Sequence, residues 1–109
     1  MKITHKGKTI KIDVERAGFF GRLMGLMFKS SNAENLLFEF SEEGNIAIHS
    51  FFCRPFAAVW LDDKANINKV LLVNKWLPFI SGKGKYLIEI PVNSRNKEII
   101  NFLVEKRKV

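Results

Sequence analysis

The chain has one cysteine, one tyrosine and two histidines in 109 residues. A lone thiol, Cys53, cannot close an internal disulfide, so the chain suits a reducing compartment. A zinc site needs three or four ligands at short spacing, and neither a Cys-x-x-Cys nor a His-x-x-x-His pair is present, so no metal is expected. No cofactor is expected either: there is no Gly-x-Gly-x-x-Gly, phosphate-binding loop or nucleophile elbow. Long apolar runs are missing, the longest being interrupted by Arg22, so no transmembrane helix is expected. The opening MKITHKGK is too polar for a signal peptide, and the expected location is the cytoplasm. Acidic residues are the minority, 11 against 18 Lys and Arg, giving a net charge of +7. That excess favours solubility and attraction to anions without bearing on the fold.

What is present is apolar bulk. Hydrophobic residues make up 47% of the chain, with ten phenylalanines. That is enough for one domain spanning residues 1–109 with its own core. Phe has no polar group to satisfy, so most of the ten are expected inside. Residues 17–29 (AGFFGRLMGLMFK) are apolar almost all round on a helical period. Glu15, Gly18, Arg22, Gly25 and Lys29 form one narrow polar or small seam. The pattern predicts a short helix starting near Glu15 or Arg16, ending by Lys29 and enclosed by the rest of the domain, its glycines marking either close approach to a neighbouring sheet or a broken last turn.

Alternation predicts strands elsewhere. Ile3 and then Ile10, Ile12 and Val14 flank Lys6-Gly7, a hairpin signature. Lys2, Lys6, Lys8 and Lys11 belong to its wet face. Residues 36–40 (LLFEF) read as a strand, 42–45 (EEGN) as a turn, and 45–52 as a further strand carrying His49. Pro55 interrupts. Residues 56–61 (FAAVWL) and 67–73 form a hairpin around the polar turn at 62–66. Pro78, Gly82 and Gly84 predict an irregular but packed loop over 74–85. Residues 86–90 (YLIEI) are a strong strand. At the end, Ser94 can cap a helix through Ile99, Ile100 and Leu103, or residues 101–105 form a last strand; a short helical turn followed by that strand is the favoured reading.

Four segments carry a family resemblance: Arg22 with Gly25-Leu26-Met27-Phe28-Lys29, Leu36-Leu37-Phe38-Glu39-Phe40, Pro55 through Asp62 (PFAAVWLD), and Tyr86 through Pro91 (YLIEIP). In this order and spacing they resemble the domain of unknown function family 192 of bacteria and archaea. The resemblance implies a mainly β, antiparallel β-sandwich of jelly-roll-like type with one helix, and no established activity. The polar segment the family carries before the shared proline is here Ile48-His49-Ser50-Phe51-Phe52-Cys53-Arg54, and Ala57 replaces an Asp of the family.

Few residues can carry chemistry. Cys53 and His49 suggest a thiol nucleophile, but residues four apart in a strand lie roughly 13 Å apart. A lone Cys is more often a small hydrophobe. Asp62-Asp63 reads as turn chemistry, and Trp60 and Trp76 as core. The leading expectation is therefore a non-enzymatic module binding a ligand or partner through His49, Phe51, Arg54 and Arg22. An enzyme using Cys53 or His49 is the first alternative. The second is a weak binder of polyanions, nucleic acid or an acidic surface, through Lys83, Lys85, Lys106, Arg107 and Lys108. Oligomeric state is left open.

Overall fold

Residues 56–61 are apolar at every position, and a strand apolar on both faces belongs in the middle of a sheet covered on both sides. In the structure, a computed structural model that describes residues 1–18, 25, 26, 29, 30 and 32–104, this stretch is β5 (Phe56–Leu61), buried throughout. The elements before it are β1 (Lys2–His5), β2 (Lys8–Lys11), β3 (Glu15–Arg16) and β4 (Leu36–Ile48); after it come β6 (Ile67–Val73), β7 (Ile80–Pro91) and a helix, α1 (Lys97–Val104). Strands β1 and β2 form the expected hairpin, turning at Lys6 and Gly7, both at positive φ. The other five make one open sheet in the order β3-β4-β7-β5-β6, parallel only between β3 and β4. The protein is thus mainly β.

Each face of the sheet has its own core. On one, Leu37, Ala57, Val59, Leu61, Ile88 and Ile90 lie under Ile3 and Ile12 of the hairpin and Ile100 and Leu103 of α1. On the other, Leu36, Phe38, Phe56, Ala58, Trp60 and Leu87 are joined by Leu26, Ile46 and Ile80.

Several expectations are corrected. The chain does not turn at 42–45: β4 runs through it, with a register shift between Glu39 and Gly44 against β7. Nor is 74–85 a loop to its end, since β7 starts at Ile80 and includes Gly82 and Gly84. Those glycines mark close approach. A Cβ on Gly82 would lie 2.5 Å from the Trp60 ring, and one on Gly84 would lie 2.6 Å from the Leu61 carbonyl oxygen. The far half of the β4–β7 ribbon thereby turns back over Trp60, whose indole N–H donates to the Ile46 carbonyl at 3.0 Å. It also runs beside β6, where Asn68 and Lys69 donate to the carbonyls of Lys83 and Ser81.

The predicted helix does not start at Glu15 or Arg16. These residues form β3, and the flanking N–H groups of Glu15 and Ala17 bond to the Asn35 and Leu37 carbonyls. Its remainder falls largely on residues 19–24, 27 and 28, outside the described residues. Gly25, at φ 54°, lies in a turn with buried Leu26. At the other end, residues 101–104 are helix rather than strand, since α1 continues to Val104; residue 105 lies outside the described residues. Ile99, Ile100 and Leu103 satisfy a helical period, and the helix covers the sheet with them. Its entry is fixed by buried Asn96, whose amide donates to Asn35 Oδ1 and the Pro91 carbonyl. No described helix is long and apolar enough to cross a membrane.

Candidate functional site

Strand β4 ends at Ile48 and β5 starts at Phe56; β6 ends at Val73 and β7 starts at Ile80. Because β5 and β6 are antiparallel and the β4–β7 ribbon turns back, the two connections meet at one end of the molecule. Ser50 joins them. Its N–H donates to the Leu77 carbonyl at 3.0 Å. Its hydroxyl accepts from the Leu77 N–H at 2.7 Å and donates to the Lys75 carbonyl at 2.5 Å. A buried serine whose hydroxyl and N–H together meet three backbone groups substitutes for a ladder where the strands have ended.

The side chains carried by these loops are not inside. Phe79 is 70% exposed, Trp76 57% and Phe52 49%, with Phe51 and Leu77 also open to solvent. Trp76 is nevertheless held: its indole N–H donates to the Cys53 carbonyl at 3.2 Å, and its ring lies 4.9 Å from that of Phe52. A shallow groove of about 430 Å³ beside this pair is lined by Lys29, Ser30, Phe52, Cys53, Arg54 and Trp76. The result is an aromatic platform edged by cations. It corrects the expectation that the second of these loops packs under cover: Trp76 is not core, and Phe79 is not inside.

Of the residues predicted to bind, His49, Phe51 and Arg54 do fall on one loop. His49 is not in a strand; its Nδ1 accepts the Phe51 N–H at 3.2 Å, and the two rings are 5.6 Å apart. Arg22 lies outside the described residues, as do Lys106, Arg107 and Lys108. Lys83 and Lys85 sit on β7 rather than in a loop, with the Lys85 ammonium 5.5 Å from the Tyr86 ring. Of the hairpin lysines, Lys2 shares a depression with Arg16 and Lys64, but also with Glu39 and Asp63, and Lys6 shares another with Lys69. Asp62 serves its turn, accepting the N–H groups of Lys64 and Asn66 at 2.9 Å each. Trp60 is fully buried, as core.

Cys53 is poorly suited to attack. Burial, and then the negative charge of Glu89, push its thiol up to about 11, and the sulfur is directed at the Phe51 carbonyl. Glu89 itself lies on β7 at 4% exposure, and burial raises its carboxyl to about 7 against the opposing hydrogen bond from the Leu26 N–H. Among the described residues its Oε1 has no hydrogen-bond partner. No three His, Cys or carboxylate groups cluster among the described residues.

Sequence reasoning missed Trp76, Leu77 and Phe79 because apolar residues in a loop look like core. The available signal was Pro78 among them: a stretch without alternation and with no following helix has no face to bury.

No family model matches the chain, and no curated protein matches it. Among solved structures, the chain is similar to a protein from Sinorhizobium meliloti 1021 described provisionally as a transcription regulator, at 22% identity and a TM-score of 0.71. The match covers 90% of this chain and 81% of that one. The likeness is one of fold.

Proposed function

We propose that the protein is a non-enzymatic binding module whose working surface is the platform formed by loops 49–55 and 74–79. The observation that carries this reading is concentration: of the seven large hydrophobic side chains exposed among the described residues, Phe51, Phe52, Trp76, Leu77 and Phe79 stand on these two loops. A contiguous exposed apolar patch is a mark of an interaction site, and Ser50 preorganises this one. Arg54, Lys29 and Lys75 at its edge favour a partner that is both apolar and anionic. An enzyme using Cys53 and His49 is disfavoured by the raised thiol and by the Phe51 N–H on His49 Nδ1. The free cysteine suits a cytoplasmic site of action. We extend the proposal to membership of the domain of unknown function family 192 and to its jelly-roll-like sandwich. The turned-back β4–β7 ribbon supports the latter by laying Ile46 and Ile80 over Trp60.

Anilinonaphthalene sulfonate, an apolar dye with one negative charge, tests the platform. Saturable fluorescence enhancement by the folded protein is expected, lost in Trp76→Ala and weakened in Arg54→Gln. Enhancement indifferent to both substitutions would place the apolar surface elsewhere and overturn the reading.

A further inference from the structure

Resting on that reading, we infer that the partner of the platform is an anionic lipid membrane, into whose interface Phe52, Trp76, Leu77 and Phe79 insert. Lys29, Arg54 and Lys75 then lie at headgroup level.

Three observations favour lipid over other anionic partners. The first is hydrogen bonding. Apolar surroundings penalise any backbone or indole group left unpaired. Here the Lys75 carbonyl, the Leu77 N–H and carbonyl, the Cys53 carbonyl and the Trp76 indole N–H are all bonded within the protein. These five groups thus enter a low-dielectric layer already satisfied. A surface built to read a polar partner keeps donors and acceptors open.

The second is composition. Leu77 and Pro78 separate Trp76 from Phe79. Single-stranded nucleic acid is held on successive flat rings, and an aliphatic pair between two rings breaks such a series. Interfacial insertion accepts Leu, Phe and Trp together.

The third is polarity of the whole molecule. Between Gly44 and Ile88 the acidic residues are Asp62 and Asp63 alone. They occupy the turn at the opposite end of the β5–β6 hairpin from the platform, where the Asp63 N–H donates to the Glu43 carboxylate at 3.2 Å. The two platform loops, residues 49–55 and 74–79, thus carry cations and no carboxylate, whereas the opposite end holds mixed charge, Asp62 and Asp63 beside Lys64. The field of an anionic surface orients it with the platform towards the lipid.

The test uses the full chain with vesicles of equimolar phosphatidylserine and phosphatidylcholine, and with vesicles of phosphatidylcholine alone. Co-sedimentation with the anionic vesicles and a blue shift of tryptophan emission are expected. Trp60 is already fully buried, so the shift reports Trp76. Each headgroup-level cation is expected to contribute about fivefold, so Arg54→Gln with Lys75→Gln weakens binding on the order of 25-fold. Trp76→Ser with Phe79→Ser should reduce binding more than tenfold; both sites are solvent-exposed, and circular dichroism verifies the fold. Absence of co-sedimentation, or binding indifferent to the Trp76 and Phe79 pair, overturns the inference. So does quenching of Trp76 by an oligonucleotide without any vesicle binding. Dye binding that depends on Trp76 and Arg54, with no vesicle binding, sinks the lipid partner and leaves the platform standing. Loss of the dye dependence sinks the platform itself.

Discussion

Glu89 is the residue whose position is hardest to reconcile with its chemistry. It sits on the central strand of a sheet, under Gly25 and Leu26, with its carboxyl raised to about 7 chiefly by burial. A carboxyl raised on folding is protonated more readily in the native state than in the unfolded one. Its penalty is absent below the unfolded value of 4.5, grows as pH rises, and is complete above about 7. One pH unit corresponds to about 1.4 kcal/mol, so the wild type should lose on the order of 3 kcal/mol between these limits through this group. Glu89→Gln keeps the shape and removes the titration. Urea denaturation at pH 5 and pH 8 should show a large stability difference in the wild type and a much smaller one in the variant. Equal pH dependence in both would mean that Glu89 is solvated or paired in solution. Nothing in the alternating YLIEI pattern singled this glutamate out, because strand periodicity assigns it a face without saying what covers that face.

At the scale of elements, the informative departure is the β4–β7 ribbon. Gly44, Gly82 and Gly84 read in sequence as turn and loop residues, yet all three lie within strands. Two of them are there because another group occupies the space a side chain would need. Gly82→Ala places a methyl against the Trp60 ring, and should destabilise by about 1–3 kcal/mol through overpacking. Gly44 meets nothing within 4 Å, so Gly44→Ala should be close to neutral. Thermal unfolding of the pair checks this, and similar losses in both would mean that the ribbon does not lie on Trp60. Hairpins were legible because each is decided locally, by alternation and a turn residue. The course of the ribbon was not, since it depends on contacts between Trp60 and residues 14 and 22 positions away. Likewise the helix at the end was half legible: Ile99, Ile100 and Leu103 carry its period, but the sheet face it covers belongs to other segments.

For the molecule as a whole, the two covered faces and the open end obey different rules. Leu103 is 3% exposed against the hairpin and sheet, and Leu103→Ala should cost about 2–5 kcal/mol. Phe79→Ala, with a larger side chain removed, should change stability by no more than about 0.5 kcal/mol. Chemical denaturation distinguishes the two, and a large loss in Phe79→Ala would show that this ring is packed. The residues of the candidate surface were legible only in part. His49, Phe51 and Arg54 drew attention as a segment that departs from a pattern, whereas Trp76 and Phe79 were hidden by the rule that aromatic residues belong inside, which these two loops break.

The strand order also governs how the chain assembles as it is made. Strand β7 lies between β4 and β5 but is the last of the five to be synthesised. The β5–β6 hairpin can close early, since its partners are adjacent in sequence. Strand β4 cannot join it until Pro91 has emerged, and until then β4 and β5 each present an unpaired edge rich in Leu, Phe and Val. Such edges are templates for pairing with foreign strands. A nascent chain arrested before residue 80 therefore holds the apolar strands without the one that seals them. The vulnerable interval for this protein ends with the arrival of β7.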